Sequence, residues 1–170
     1  GVYGADDYSN YVVDLDPTNK YTASLRSSHV NKIYYDPAVR YQPWSNSDGS
    51  LMNNASPTCA YHNPLNTGAG CRNLTTNNTQ TARWLQNDGT RSSSDSETFY
   101  PAVYFKYNSG NVNLASSYTQ VEIKSSTSSY TGGSNRTDCV AAPTCTYNEE
   151  IQNFANWYTY YRSRILLARA

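Results

Sequence analysis

Apolar positions along this chain come in short clusters separated by turn-forming residues. Beta-branched and aromatic residues gather at Tyr11–Leu15, Lys32–Tyr35, Thr98–Tyr107 and Tyr118–Lys124, and these four runs are the predicted strands. The strongest reads TFYPAVYFKYNSGN, with Phe99, Val103, Phe105 and Tyr107 at near-alternate positions and Ser109-Gly110-Asn111 closing it. Pro101 cannot donate to a ladder, so it marks a strand edge or start. Further on, Tyr118, Gln120, Glu122 and Lys124 alternate with Thr119, Val121 and Ile123, which predicts one wetter face. With Gly110 in the connection, the two runs predict an antiparallel hairpin or meander.

The period changes near the end of the chain. Ile151, Phe154, Ala155, Tyr158, Tyr161, Ile165 and Ala168 fall on one stripe at helical spacing, widened by Trp157 and Leu166. Thr146 with Glu149 three residues later forms a capping box, which starts the helix near Asn148 and predicts a span of about 148–169. Glu149 and Glu150 at its front and Arg162, Arg164 and Arg169 toward its end complement the helix dipole. Gln152, Asn153, Asn156, Thr159 and Ser163 are expected to cover the opposite, polar face, which Leu167 interrupts. The stripe has two readings: it packs on the sheet as core, the commoner use, or part of it awaits a partner. On the second reading the interface candidates are Phe154, Trp157, Tyr158, Tyr161, Ile165, Leu166 and Leu167.

Residues 45–97 show little periodicity and are dominated by Asn, Ser, Thr, Gly and Pro, so they read as loop-rich. Within them TARWLQNDGT is a short helix or strand, with Trp84 and Leu85 turned inward and Asn87-Asp88-Gly89 as its turn. The cysteines form two close pairs, Cys59 with Cys71 and Cys139 with Cys145. Four cysteines permit three connectivities, of which local pairing is the simplest, and neither spacing is the Cys-x-x-Cys of zinc ribbons or redox sites.

Composition then fixes the class of protein. Aliphatic residues are few, but 17 Tyr and 3 Trp supply core area, and 13 basic against 13 acidic residues leave no net charge to keep the chain unfolded. Much of the core is therefore expected to be tyrosine. The even charge gives no footprint for nucleic acid or an anionic membrane, and no run is long and apolar enough for membrane insertion. Disulfides and heavy Ser, Thr and Asn usage point to an oxidising compartment, extracellular or at the cell surface.

Candidate chemistry is sparse. His29 and His62 lie near no nucleophile motif and read as loop histidines, so no catalytic residue is assigned and no enzyme is expected. Asp14 and Asp16 have oxygen-ligand spacing but lack the glycine and bidentate glutamate of a calcium loop, and a turn is the commoner use. No cofactor and no metal ligand is assigned.

Two segments carry a resemblance. Tyr35-Asp36-Pro37-Ala38-Val39-Arg40-Tyr41-Gln42-Pro43-Trp44 and Asn153-Phe154-Ala155-Asn156-Trp157, followed by Tyr160-Tyr161-Arg162, resemble the amino-terminal region of the PilC/PilY family. These are type IV pilus tip-associated adhesins and pilus biogenesis factors of Gram-negative bacteria. The likeness spans roughly Lys32 to Ala170. It implies an insertion between the first strand and first helix of a von Willebrand factor A-like domain, with the terminal segment as that helix. The Asp-x-Ser-x-Ser metal motif of such domains is absent. Asp88-Gly89-Thr90-Arg91-Ser92 is only a near miss, and polar ARWLQN makes a poor preceding strand.

The expectation is thus a single extracellular domain, 1–170, mainly β in an α+β arrangement: an antiparallel sheet, long disulfide-held loops and one C-terminal amphipathic aromatic helix. Its function is that of a non-enzymatic surface protein of pilus-tip adhesion or biogenesis. The alternative is a self-assembling subunit of an extracellular filament or sheath. Partners are pilus components, a host or surface receptor, or further copies of the chain.

Overall fold

The structure is a computed structural model that describes residues 12–13, 18–86, 88–163, 166 and 168. Its elements in order are β1 (Val12–Val13), α1 (Lys20–Leu25), β2 (Ala60–Tyr61), β3 (Cys71–Arg72), β4 (Asn78–Leu85), β5 (Arg91–Phe99), β6 (Val103–Tyr107), β7 (Tyr118–Glu122), β8 (Ser129–Thr131), β9 (Thr144–Thr146) and α2 (Tyr147–Tyr160). The strands form one three-stranded sheet, β1-β4-β5, and three two-stranded ones, β2-β3, β6-β7 and β8-β9. Among the described residues only β1 against β4 is parallel. The class is the mainly β one expected. The cysteines pair locally, Cys59 with Cys71 and Cys139 with Cys145.

The chain divides into two compact units, each assembled from discontinuous segments: Gly1–Tyr35 with Thr76–Glu122, and Asp36–Thr75 with Ile123–Ala170. In the first, α1 begins at Asn19, whose side chain accepts the Tyr21 amide at 2.9 Å. The carbonyl of Arg26, just past α1, accepts the Phe105 amide of β6 at 2.8 Å. The predicted hairpin is present, with β6 and β7 antiparallel in the register Val103 to Glu122 and Tyr107 to Tyr118. Pro101 stands just before β6, in the corner after β5, where its missing N–H costs no ladder bond. The alternation in β7 is not clean: Thr119 and Gln120 are both exposed while Tyr118 and Ile123 are buried.

Two strand expectations change. Lys32–Tyr35 is a turn rather than a strand: the Tyr34 amide donates to the Asn31 carbonyl at 2.8 Å, and Tyr34 and Tyr35 are buried. The aromatic cluster signalled burial, not extension. Of Tyr11–Leu15, Val12 and Val13 form β1 and the remainder lies outside the described residues.

The loop-rich reading of 45–97 also needs correction, because its second half forms the longest hairpin among the described residues. β4 and β5 pair from Asn78 opposite Phe99 to Leu85 opposite Arg91, with an irregularity between Arg83 and Leu85. ARWLQN therefore contributes to a strand after all. The hairpin escapes a hydrophobic-period search because hydroxyl pairs replace apolar ones: Thr79 meets Thr98 at 2.8 Å and Thr81 meets Ser96 at 2.6 Å. Gly89, at φ 88°, turns the chain, and Asp88 Oδ1 accepts from the Thr90 amide and hydroxyl at 2.8 and 2.7 Å. The near miss to a metal motif is this hairpin turn. The side chains of Trp84 and Leu85 lie outside what is described.

In the second unit, α2 is the spine. Its capping box forms as expected, Thr146 Oγ1 accepting the Glu149 amide at 3.3 Å and Glu149 Oε2 accepting the Thr146 amide at 2.7 Å. Rather than running unbroken toward residue 169, α2 closes at Tyr160, ahead of a turn at 161–163, and Leu166 beyond it is again helical. The Tyr161 amide bonds the Trp157 carbonyl at 2.8 Å, and Arg162 turns back to give Nη1 to the Tyr158 carbonyl at 2.6 Å. A guanidinium on a last-turn carbonyl satisfies an orphan acceptor, so the chain can leave the helix there.

The largest departure concerns the polar face. Asn153, Asn156 and Thr159 are buried along with Ile151, Phe154, Trp157, Tyr158 and Tyr160, so α2 is enclosed on nearly every side. The tyrosine core is as composition required: Tyr34, Tyr35, Tyr104, Tyr118, Tyr130, Tyr158 and Tyr160 are all buried. Some of their hydroxyls are used on backbone, as where Tyr34 donates to the Val103 carbonyl at 2.6 Å.

Candidate functional site

The site grows from the buried amides of α2. Asn153 Oδ1 accepts the Tyr41 amide at 2.8 Å, and its Nδ2 donates to the Val39 carbonyl at 2.9 Å. One turn on, Asn156 Nδ2 donates to the Tyr41 carbonyl and to Asn54 Oδ1, both at 3.0 Å, while Oδ1 accepts the Ala55 amide at 2.9 Å. Gln152 Nε2 donates to the Ala55 carbonyl at 2.8 Å. Further along, the Tyr160 hydroxyl reaches the Asn53 carbonyl and the Tyr161 hydroxyl the Gln42 carbonyl, each at 2.7 Å. Residues three and four apart share a helix face, so a run of amides and hydroxyls reads two irregular segments, Val39–Gln42 and Asn53–Ala55. Neither segment pairs with a strand here; α2 supplies the partners that a ladder would have given.

The start of the first segment is fixed separately. Arg136, fully buried, places Nη1 2.7 Å from Glu150 Oε2 of α2 and 2.9 Å from the Pro37 carbonyl, and donates Nε to Asp138 Oδ1 at 2.9 Å. Burial raises the Asp138 carboxyl, but the hydrogen bonds and charge of Arg136 outweigh it and hold the group below its usual range. Gly133 makes the close approach possible: a Cβ there would lie 2.9 Å from Ala38 Cβ and 3.1 Å from the Ala38 carbonyl oxygen.

Between the two held segments and the first turn of α2 opens a cleft of about 650 Å³. Arg40, Gln42, Asn53, Asn54, Asn148 and Glu149 give it polar walls, and Pro43, Leu51 and Met52 an apolar patch. Glu149 is held below its usual range by the Val140 amide, which it accepts at 2.9 Å, and by the Thr146 amide. Burial raises the Tyr41 hydroxyl, so the tyrosine stays neutral. The walls offer hydrogen bonds and few free charges.

A second cluster surrounds Tyr158. Its hydroxyl lies 3.0 Å from His62 Nδ1 and accepts from Arg72 Nε at 3.3 Å, while the Arg162 guanidinium stands 4.4 Å over its ring and donates to the His62 carbonyl at 2.8 Å. Burial, then Arg162 and Arg72, lower the His62 pKa to about 4. His62 is therefore a neutral, half-buried packing residue. His29 is exposed and stacks on Tyr107 with centroids 4.0 Å apart. Among the described residues no group of three His, Cys, Asp or Glu is placed to hold a metal. Asp14 and Asp16 lie outside the described residues.

Of the interface candidates, Phe154, Trp157 and Tyr158 are at most 2% exposed and pack inside the chain itself. Tyr161 is half-buried and Leu166 buried, while Ile165 and Leu167 lie outside the described residues. Sequence reasoning missed the amide run and Arg136. Their signal was present in the polar residues at helical spacing, Gln152, Asn153 and Asn156, which looked like a solvated face.

The second unit is thus a disulfide-held, loop-rich unit built around one enclosed helix. Two disulfides agree with an extracellular or surface location, and among the described residues no helix is long and apolar enough to cross a membrane. The chain is similar to the type IV pilus biogenesis factor PilY1 of Pseudomonas aeruginosa (strain PAK), 26% identical over 167 residues. That match covers 92% of this chain and 12% of PilY1, so the chain spans a small part of that relative. No protein-family model matches the chain, and no solved structure matches it.

Proposed function

We propose that this chain is a non-enzymatic extracellular component of a type IV pilus system, acting in pilus-tip adhesion or biogenesis. The observation that carries the reading is the similarity to PilY1 along 92% of the chain. Within this reading the chain corresponds to the inserted region and first helix of a von Willebrand factor A-like domain. The segments behind the family resemblance support it, because Val39–Tyr41 is held by Asn153 and Asn156, each motif being the packing partner of the other. Partners are then pilus components or a surface receptor, presented with the cleft rather than with the buried stripe of α2.

The test is deletion of the region coding for this chain in the bacterium that carries it, followed by counts of surface pili, twitching motility and adherence. Loss of pili or of adherence, restored by the intact gene, is the expected result. Normal piliation and adherence overturn the reading. Light scattering and electron microscopy of the purified chain address the alternative: filaments would favour a self-assembling subunit.

A further inference from the structure

We propose that the cleft between Arg40–Pro43, Leu51–Asn54 and the first turn of α2 is a binding site for a neutral oligosaccharide. The proposal rests on the reading of the chain as a non-enzymatic surface protein and names the ligand class of its cleft. The volume, about 650 Å³, lies within the range of small-molecule sites. Three features of the walls decide the chemistry.

First, the lining charges are engaged by partners within the protein. Arg40, Asp138 and Glu149 are the charged lining residues, and Asp138 is already paired with Arg136 at 2.9 Å. Arg40 Nη1 donates to Thr137 Oγ1 at 3.0 Å, and Glu149 accepts the Val140 and Thr146 amides. Counting Glu150, which also pairs with Arg136 at 2.7 Å, two cations face three carboxylates, a balance that disfavours an acidic ligand.

Second, the backbone of both walls is in use. The Val39, Tyr41, Gln42, Asn53 and Ala55 carbonyls and the Tyr41 and Ala55 amides are taken by side chains of α2 and of Tyr161. An extended peptide recognises a wall through such a row of backbone groups, so strand addition has little to pair with.

Third, what the walls do present is side-chain amide: Gln42, Asn53, Asn54 and Asn148 all line the cleft and are exposed. An amide offers one acceptor and two donors in a fixed plane, which matches adjacent hydroxyls that each donate and accept. Leu51, 51% exposed, and half-exposed Met52 add an apolar patch for the C–H face of a sugar ring.

The experiment titrates the isotope-labelled full chain with maltotriose, cellotriose, chitotriose and N-acetyllactosamine, alongside sialyllactose and an extended peptide, and follows amide shifts by NMR. Saturable shifts at Leu51–Asn54 and Asn148 with a neutral sugar are expected. In N53A/N148A, whose exposed amides leave the melting temperature unchanged, that affinity falls about tenfold or more. No shift with any neutral sugar, tighter binding of the acidic sugar or the peptide, or binding unaffected by the double variant overturns the proposal. The pilus reading stands apart: it is tested by deletion of the chain, whose loss of pili or adherence does not depend on whether a sugar binds the cleft.

Discussion

Asn153, buried on α2, holds both sides of one peptide stretch: its Oδ1 accepts the Tyr41 amide at 2.8 Å and its Nδ2 donates to the Val39 carbonyl at 2.9 Å. The residues are far apart in sequence, yet this pair sets the path of the loop that forms one wall of the cleft. A buried amide so used is hard to replace, since truncation leaves an N–H and a C=O without partners.

Asn153→Ala is therefore expected to destabilise the chain by about 2–4 kcal/mol, two orphaned backbone groups each carrying part of the loss. Asn153→Asp keeps the acceptor for Tyr41 but sets a buried carboxyl oxygen against the Val39 carbonyl, so at neutral pH it is expected to be no more stable than the alanine variant. Urea unfolding of the three proteins checks the order. Equal stability of the alanine variant and wild type would remove the amide run from the account.

Arg136 and Glu150, both fully buried and 2.7 Å apart, form an ion pair that is costly to halve. Arg136→Met alone should cost about 3–5 kcal/mol, because the buried Glu150 carboxylate loses its cation, whereas Glu150→Gln should cost less because Arg136 keeps Asp138. Changing both to Met restores part of the loss but leaves Pro37 and Asp138 without Arg136. A double-mutant cycle measures the coupling.

Gly133→Ala is predicted to destabilise by about 1–3 kcal/mol, since the added Cβ would meet Ala38 backbone and side chain at 2.9–3.1 Å. Ala38→Gly in the same chain should recover part of the loss by opening the contact. Melting temperatures of the single and double variants decide it.

His62 gives the fold an acid sensitivity whose sign is fixed by its lowered pKa. Above the ordinary histidine value of 6.5 the ring is neutral in both folded and unfolded chains and pH has no effect through it. Between 6.5 and about 4 the unfolded chain takes up the proton and the folded one does not, so stability falls as pH falls. Below about 4 the effect levels off. The cost of acid on Asp138 and Glu149 is shared by wild type and His62→Gln, so the difference between their melting curves across this window isolates His62. Parallel curves would contradict the assignment, as would an NMR titration midpoint near 6.5.

What the sequence alone determined is what local chemistry determines. Thr146 and Glu149 started α2 because a capping box is closed within one turn, and β6 and β7 followed from alternating apolar positions around Gly110. The disulfides followed from cysteines close in the chain, and the tyrosine core from a shortage of aliphatics that only aromatics could offset. Of hairpin β4–β5 only TARWLQNDGT was legible, as a short helix or strand with its turn, because Thr and Ser hydroxyls pair across the rest without an apolar period. The cleft and its amide supports were decided by tertiary structure: Asn on a helix reads as solvated until a loop from over a hundred residues away supplies backbone groups to bond. Local propensity carries no information about that arrival, whereas the cost of leaving a buried amide unpaired makes the arrangement specific once it forms.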